Sequence, residues 1–270
     1  MTSAVALDPD AIHWSASPEA RLGRPLLLAM HGRASGEQRL LAASASWPED
    51  YVVAHLRGPW PEDDASAASG QRRWSWFGAD NERGNPRPED AEASADAVFA
   101  WLDTLPPTSL VGAVGFSQGG AMALELLRRD PDRVAFAVNL GGFSVRGERA
   151  RDPELRERRP PVFWGRGAMD DVIRPETIDR TTAWLDGHAT VTARLYPRLR
   201  HTVSRREAAD AGAFLRERLG QAPATASSPP GGGSSGAGSR AALIAARPDG
   251  TSIATSITSA VATPPSTRSS

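Results

Sequence analysis

Short apolar runs alternate with longer amphipathic stretches over roughly the first 220 residues, the pattern of a mostly parallel sheet with crossover helices. The runs PLLLAMH (25–31), YVVAHLR (51–57), SLVGAVGFS (109–117), RVAFAVNL (133–140), PVFWG (161–165) and TVTARLYP (190–197) are the expected strands. Several are apolar almost throughout, as strands buried on both faces are. Between them, Glu89 to Leu105 carries Ala93, Ala97, Val98, Trp101 and Leu105 on one helical stripe. Gln118 to Arg129 is a second helix, stopped at Asp130-Pro131. Pro175 to Asp186 and Ser204 to Leu219 complete the set, each opening on a residue suited to a helix start. The fold class is therefore α/β, with helices on both faces of the sheet.

Past Gly220 the pattern stops. Residues 221–270 are dominated by Ala, Ser, Thr, Pro and Gly, including SSPPGGGSSGAGS, and bury too little apolar surface to offset ordering entropy. A disordered tail following a single domain (1–220) is expected.

Composition narrows the function classes. Hydrophobic residues are 40% of the chain, enough for a core with two helical layers, and the net charge of −1 points to no nucleic-acid partner. With no cysteine, disulfides, thiolate nucleophiles and Cys-based metal sites are excluded. Every basic side chain other than histidine is arginine. No apolar run is long enough to span a bilayer, and the N-terminal residues lack a secretory pattern, so a cytoplasmic protein without integral membrane contact is expected. Nothing in the sequence bears on oligomeric state.

The sharpest motif is Gly115-Phe116-Ser117-Gln118-Gly119-Gly120, where an apolar strand meets a helix. That is the G-x-S-x-G nucleophile elbow in its expected context. A serine on this tight turn is lifted above the sheet, and glycines two residues either side avoid collision with neighbouring backbone. The N–H of Gln118, at the new helix start, then faces a developing oxyanion.

A serine nucleophile needs a histidine base and a carboxylate to orient it, here in the chain order Ser, acid, His. Two histidines follow Ser117. His188 lies between a helix and a strand, on the opposite sheet edge; His201 follows the last strand and is the expected base. By the same edge test Asp130, Asp132, Asp179 and Asp186 drop out. Asp170 and Asp171 both directly follow a strand, and spacing leaves the two open.

A second oxyanion donor belongs on the loop His31-Gly32-Arg33-Ala34 after the first strand. The N–H of Arg33 is expected there, with Ala34 the alternative. His31 is expected to brace this loop rather than to catalyse. Trp74, Trp76 and Phe77 crowd one connection near the catalytic edge and are expected to line an apolar substrate pocket, with core packing as the alternative. Arg33, Arg57, Arg72 and Arg73 are read as a solvated, salt-bridged surface rather than a rim for acidic substrates.

Together LLAMHGRASGE, HLRGPW, RRWSWF, AVGFSQGGAMALEL, NLGGF, VFWGRGAMDDVI and YPRLRHTVS resemble the phospholipase/carboxylesterase family of the α/β-hydrolase superfamily, across residues 24–219. The resemblance implies hydrolysis of carboxylic esters or thioesters, with a small-molecule ester as partner and neither metal nor organic cofactor. It also implies a G-x-x-D acid loop, which Gly167-Ala168-Met169-Asp170 fits, favouring Asp170. The expectation is a serine carboxylesterase with the triad Ser117, Asp170 and His201. A thioesterase or lysophospholipase on the same triad, an acyltransferase, and a non-catalytic binding protein are the alternatives.

Overall fold

Residues 5–62, 72–78 and 85–219 are described by the computed structural model. The expected tail, 221–270, lies outside these residues. In chain order the elements are β1 (His13–Trp14), α1 (Pro18–Arg21), β2 (Leu26–Met30), α2 (Leu41–Ser44), β3 (Val52–Leu56), β4 (Trp60–Glu62) and β5 (Arg73–Ser75). They continue with α3 (Pro88–Leu102), β6 (Val111–Phe116), α4 (Gln118–Arg129), β7 (Phe136–Leu140), α5 (Asp152–Arg158), β8 (Pro161–Gly167), α6 (Pro175–His188), β9 (Thr190–Tyr196) and α7 (Arg205–Leu219).

Seven strands form one sheet in the order β1-β3-β2-β6-β7-β8-β9. Only β1 runs antiparallel to its neighbour; every other pairing in this sheet is parallel. Each side of the sheet carries its own core, because side chains alternate between faces along a strand. Leu26, Leu28 and Met30 of β2, with Val162 and Trp164 of β8, pack toward α3, α4 and Leu185 of α6. The intervening Leu27, Ala29 and Phe163 pack with Phe136, Ala43 of α2 and Phe214 of α7. Strands β2, β3 and β7 are buried at every position, which explains why their sequences show no polar alternation.

The six expected strands are present, each trimmed at one or both ends or, for β8, extended to Gly167. Helix α3 ends at Leu102, so Leu105 falls beyond it; α6 runs on to His188. The short elements β1, α1, α2, β4 and α5 carry too few residues for a periodic signal. Part of the aromatic stretch, read as a loop, pairs as β5 with β4 in an antiparallel hairpin (Trp60 opposite Ser75, Glu62 opposite Arg73). No helix among the described residues is long and apolar enough to cross a membrane.

Candidate active site

Ser117 stands between the end of β6 and the first residue of α4, at φ 55° and ψ −116°. Such a conformation costs on the order of 1–3 kcal/mol for a residue with a Cβ and persists only where its surroundings enforce it. The neighbouring glycines show how. A Cβ on Gly115 would overlap the carbonyl of Gly119, and a Cβ on Gly119 would overlap the carbonyl of Met30 in β2. Strand and helix therefore close on each other only when both positions lack side chains.

His201 arrives from the loop after β9, and its Nε2 lies 2.9 Å from Ser117 Oγ. Its Nδ1 lies 2.7 Å from Asp170 Oδ2. The loop bearing Asp170 is tied to the loop bearing His201: the Ala168 N–H donates to Tyr196 O at 2.9 Å and the Met169 N–H to Leu199 O at 3.0 Å. Gly167 permits that contact, since a Cβ there would overlap the Leu199 carbonyl. The other oxygen of Asp170 accepts from the N–H groups of Val172 (2.9 Å) and Ile173 (3.2 Å). Burial pushes the Asp170 carboxyl up, but the bonds from His201, Val172 and Ile173 outweigh it and hold the group below the usual carboxylate range. Of the two aspartates that spacing leaves open, only Asp170 faces the imidazole, its side chain 4% exposed. Asp171 is 61% exposed and pairs with Arg200.

The loop after β2 supplies the opposite wall. The Ala34 N–H donates to Ser75 Oγ at 3.0 Å, and Ser75 in turn donates to Glu62. With Ala34 occupied, the N–H groups of Arg33 and Gln118 stand open: neither donates to a described backbone or side-chain acceptor. Gln118 contributes a second contact, its Oε1 accepting from the Trp76 N–H at 3.0 Å.

His31 braces the loop. Burial lowers its pKa to about 4, so it is neutral near pH 7. Its Nδ1 lies 2.6 Å from Gly32 O and its Nε2 accepts from the Gly58 N–H at 2.9 Å, which puts the proton on Nδ1. The Trp76 indole N–H donates to His31 O at 2.9 Å.

The three aromatics expected to line a pocket divide. Trp76 (0% exposed) and Phe77 (2%) belong to the core, where they leave no face for a ligand. Burial brings their apolar area out of water, and the indole is satisfied internally, so packing rather than pocket lining accounts for both. Trp74 is half-buried in β5 with the Arg57 guanidinium 4.4 Å from its ring centre.

Three contributors carried no motif. Ser75 decides which amide is open, yet it reads as a serine between two tryptophans. Phe116, inside the elbow, packs its ring 4.9 Å from that of His201. Glu207 on α7 is 1% exposed, and burial, with the charges of Asp210 and Asp170 nearby, raises its pKa to about 7 against the bond from the Ser204 side. Only its position three residues after Ser204 at a helix start hinted at anything, and that hint reads as capping.

The pattern of the phospholipase/carboxylesterase family matches residues 24–219. The chain belongs to that family. A protein of Nocardia uniformis subsp. tsuyamanensis named as an esterase, NocK, is 32% identical over 170 residues. That alignment spans 59% of this chain and 43% of NocK, so the chain matches less than half of the relative's length. Among solved structures, the Bacillus cereus carboxylesterase superposes with a TM-score of 0.60 at 18% identity, covering 76% of this chain and 93% of that one. Zea mays acyl-protein thioesterase 2 superposes with a TM-score of 0.61 at 22% identity, covering 77% and 98% respectively. The family match and these superpositions establish the α/β-hydrolase fold.

Proposed function

We propose that this protein is a serine carboxylesterase that hydrolyses carboxylic esters through an acyl-enzyme on Ser117. The observation that carries the reading is the unbroken file Ser117 Oγ, His201 imidazole, Asp170 carboxylate, with contacts of 2.9 and 2.7 Å.

His201 Nε2 accepts the hydroxyl proton as Ser117 Oγ bonds to the ester carbonyl carbon. The carbonyl π electrons move onto oxygen, and the resulting oxyanion accepts hydrogen bonds from the N–H groups of Arg33 and Gln118. Asp170, kept ionised, accepts from Nδ1–H and stabilises the imidazolium. The intermediate collapses, the C–O bond to the alcohol breaks, and the alkoxide takes the proton from Nε2. Water then repeats the sequence on the acyl-enzyme, giving its proton to His201 and releasing the acid and a reprotonated serine. A thioester would follow the same steps with a thiol leaving.

Purified protein is assayed on p-nitrophenyl esters and the matching thioesters over a range of acyl lengths. Ser117→Ala is expected to lower kcat by on the order of 10⁶-fold, and a fluorophosphonate to modify Ser117 stoichiometrically. Equal ester rates in wild type and Ser117→Ala, with no adduct, would remove the reading; thioesters preferred throughout would replace carboxylesterase by thioesterase.

A further inference from the structure

Beside the oxyanion loop lies an open groove of about 730 Å³, walled by Ala34, Arg39, Arg57, Arg72, Arg73 and Trp74. It adjoins the catalytic residues through one ring. The Arg39 guanidinium sits 5.3 Å from the centre of the Phe116 ring, and Phe116 packs against His201. Among its described lining residues four are arginines and one, Glu37, is an acid.

Several arginines elsewhere on the surface are paired with acids. Arg129 meets Asp96, Arg133 meets Asp103, and Arg151 meets Asp130, Asp132 and Glu154. At the mouth of the site Arg33 meets Glu62 and Arg57 meets Asp8, as a salt-bridged surface would have it. Arg39 and Arg72 differ from these paired arginines. Both are exposed, and neither makes an ion pair with a described residue. Like charges gathered without counter-charge repel one another, and a guanidinium offers a planar fork of donors that fits a carboxylate or phosphate. Arg57, also lining the groove, lies over the face of Trp74 with its guanidinium 4.4 Å from the ring centre.

Resting on the ester-hydrolase reading, we propose that the preferred substrate is an ester bearing a separate oxyanion group, carboxylate or phosphate. Arg39 and Arg72 hold that group in the groove while the ester carbonyl sits at Ser117. The groove sets specificity, and the triad does the chemistry.

The test compares matched pairs by pH-stat titration: monoethyl adipate against ethyl hexanoate, and 2-acetoxyethyl phosphate against 2-methoxyethyl acetate. The anionic member of at least one pair is expected to have a kcat/KM about tenfold or more above its neutral partner, and the pair that responds names the oxyanion. Arg39→Gln and Arg72→Gln each lower that ratio several-fold, chiefly through KM, and the double variant brings it close to one. Raising NaCl from 50 to 500 mM, roughly a threefold shorter screening length, narrows it in the wild type. In parallel, calorimetry on Ser117→Ala reads binding of the same anionic esters without turnover. Ratios near one in both pairs, or a ratio that survives in the double variant, overturn the proposal. If the wild type cleaves no ester yet Ser117→Ala binds the anionic ones in a salt-dependent way that the double variant loses, the groove stands and the esterase reading falls.

Discussion

The two ends of α4 are built on opposite rules. At its C-terminal end Arg128 is wholly buried, and all five of its N–H donors are taken. They go to Asp152 (3.0 and 2.7 Å), Glu125 (2.8 Å) and the carbonyls of Val145 (3.0 Å) and Gly147 (2.7 Å). Arg149 adds a bond to the second oxygen of Glu125 at 3.0 Å. At the N-terminal end Ser117 holds a strained backbone, its hydroxyl lies against His201, and the first amide of the helix donates to no described acceptor. Saturated donors make an anchor: the 145–152 loop cannot leave without stranding buried charge. Donors left open inside an enforced geometry make a place where a transient charge can be received. Proteins tolerate the second arrangement only where rigid neighbours hold it, and here the same helix supplies that rigidity.

Asp170→Asn offers the largest break in this contrast. Amide replacement leaves the geometry but offers His201 the wrong partner, and a loss in kcat on the order of 10⁴-fold is expected, while Asp171→Asn stays within a few-fold. Equal losses from the two would mean that the open end is not organised by Asp170. Arg128→Ala tests the saturated end. It leaves buried Asp152 with no guanidinium partner and Glu125 with Arg149 alone, and urea unfolding should show a loss of about 3–5 kcal/mol. A loss below about 1 kcal/mol would deny it the role of anchor.

Glu207 is an intermediate case, buried near Asp170 with Oε2 lacking a partner among the described residues. Its folded pKa of about 7 lies above the ordinary 4.5, so the stability tied to its protonated form is fully present below pH 4.5 and lost as pH rises through about 7. That loss amounts to about 3 kcal/mol, and Glu207→Gln should flatten it in urea midpoints recorded from pH 4 to 8. An unchanged pH profile in the variant would assign the titration elsewhere. The smallest effect belongs to Ser75→Ala, which frees the Ala34 N–H. A stability loss of about 1 kcal/mol and a fall of a few-fold in kcat are expected, as the loop presenting Arg33 loosens.

Much of this was legible before any coordinates. Buried strands announce themselves as unbroken apolar runs, and the elbow is a local device: glycine, serine and glycine at fixed spacing across a strand–helix junction. His201 followed from chain order and sheet edge alone. The short elements were not legible, because the two residues of β1 or the three of β4 leave no period to read. Nor was the fate of the aromatics. Trp76 and Phe77 look the same in sequence whether they line a pocket or fill the core, and that choice was made by what packs over them.

The sequence by itself determined the α/β class, the strained serine and the histidine, because backbone sterics and hydrophobic period act over a few residues. The tertiary structure decided between near neighbours in the chain. It set Asp170 rather than Asp171 toward the imidazole, through hydrogen bonds between the loops after β8 and β9. It left the Arg33 amide open rather than that of Ala34, through a serine 41 residues away. It also brought Arg39 and Arg72 to one groove, neither ion-paired with a described residue. Each of those outcomes turns on which hydrogen-bonding or charged group meets which other across long stretches of chain, and only the folded packing specifies that.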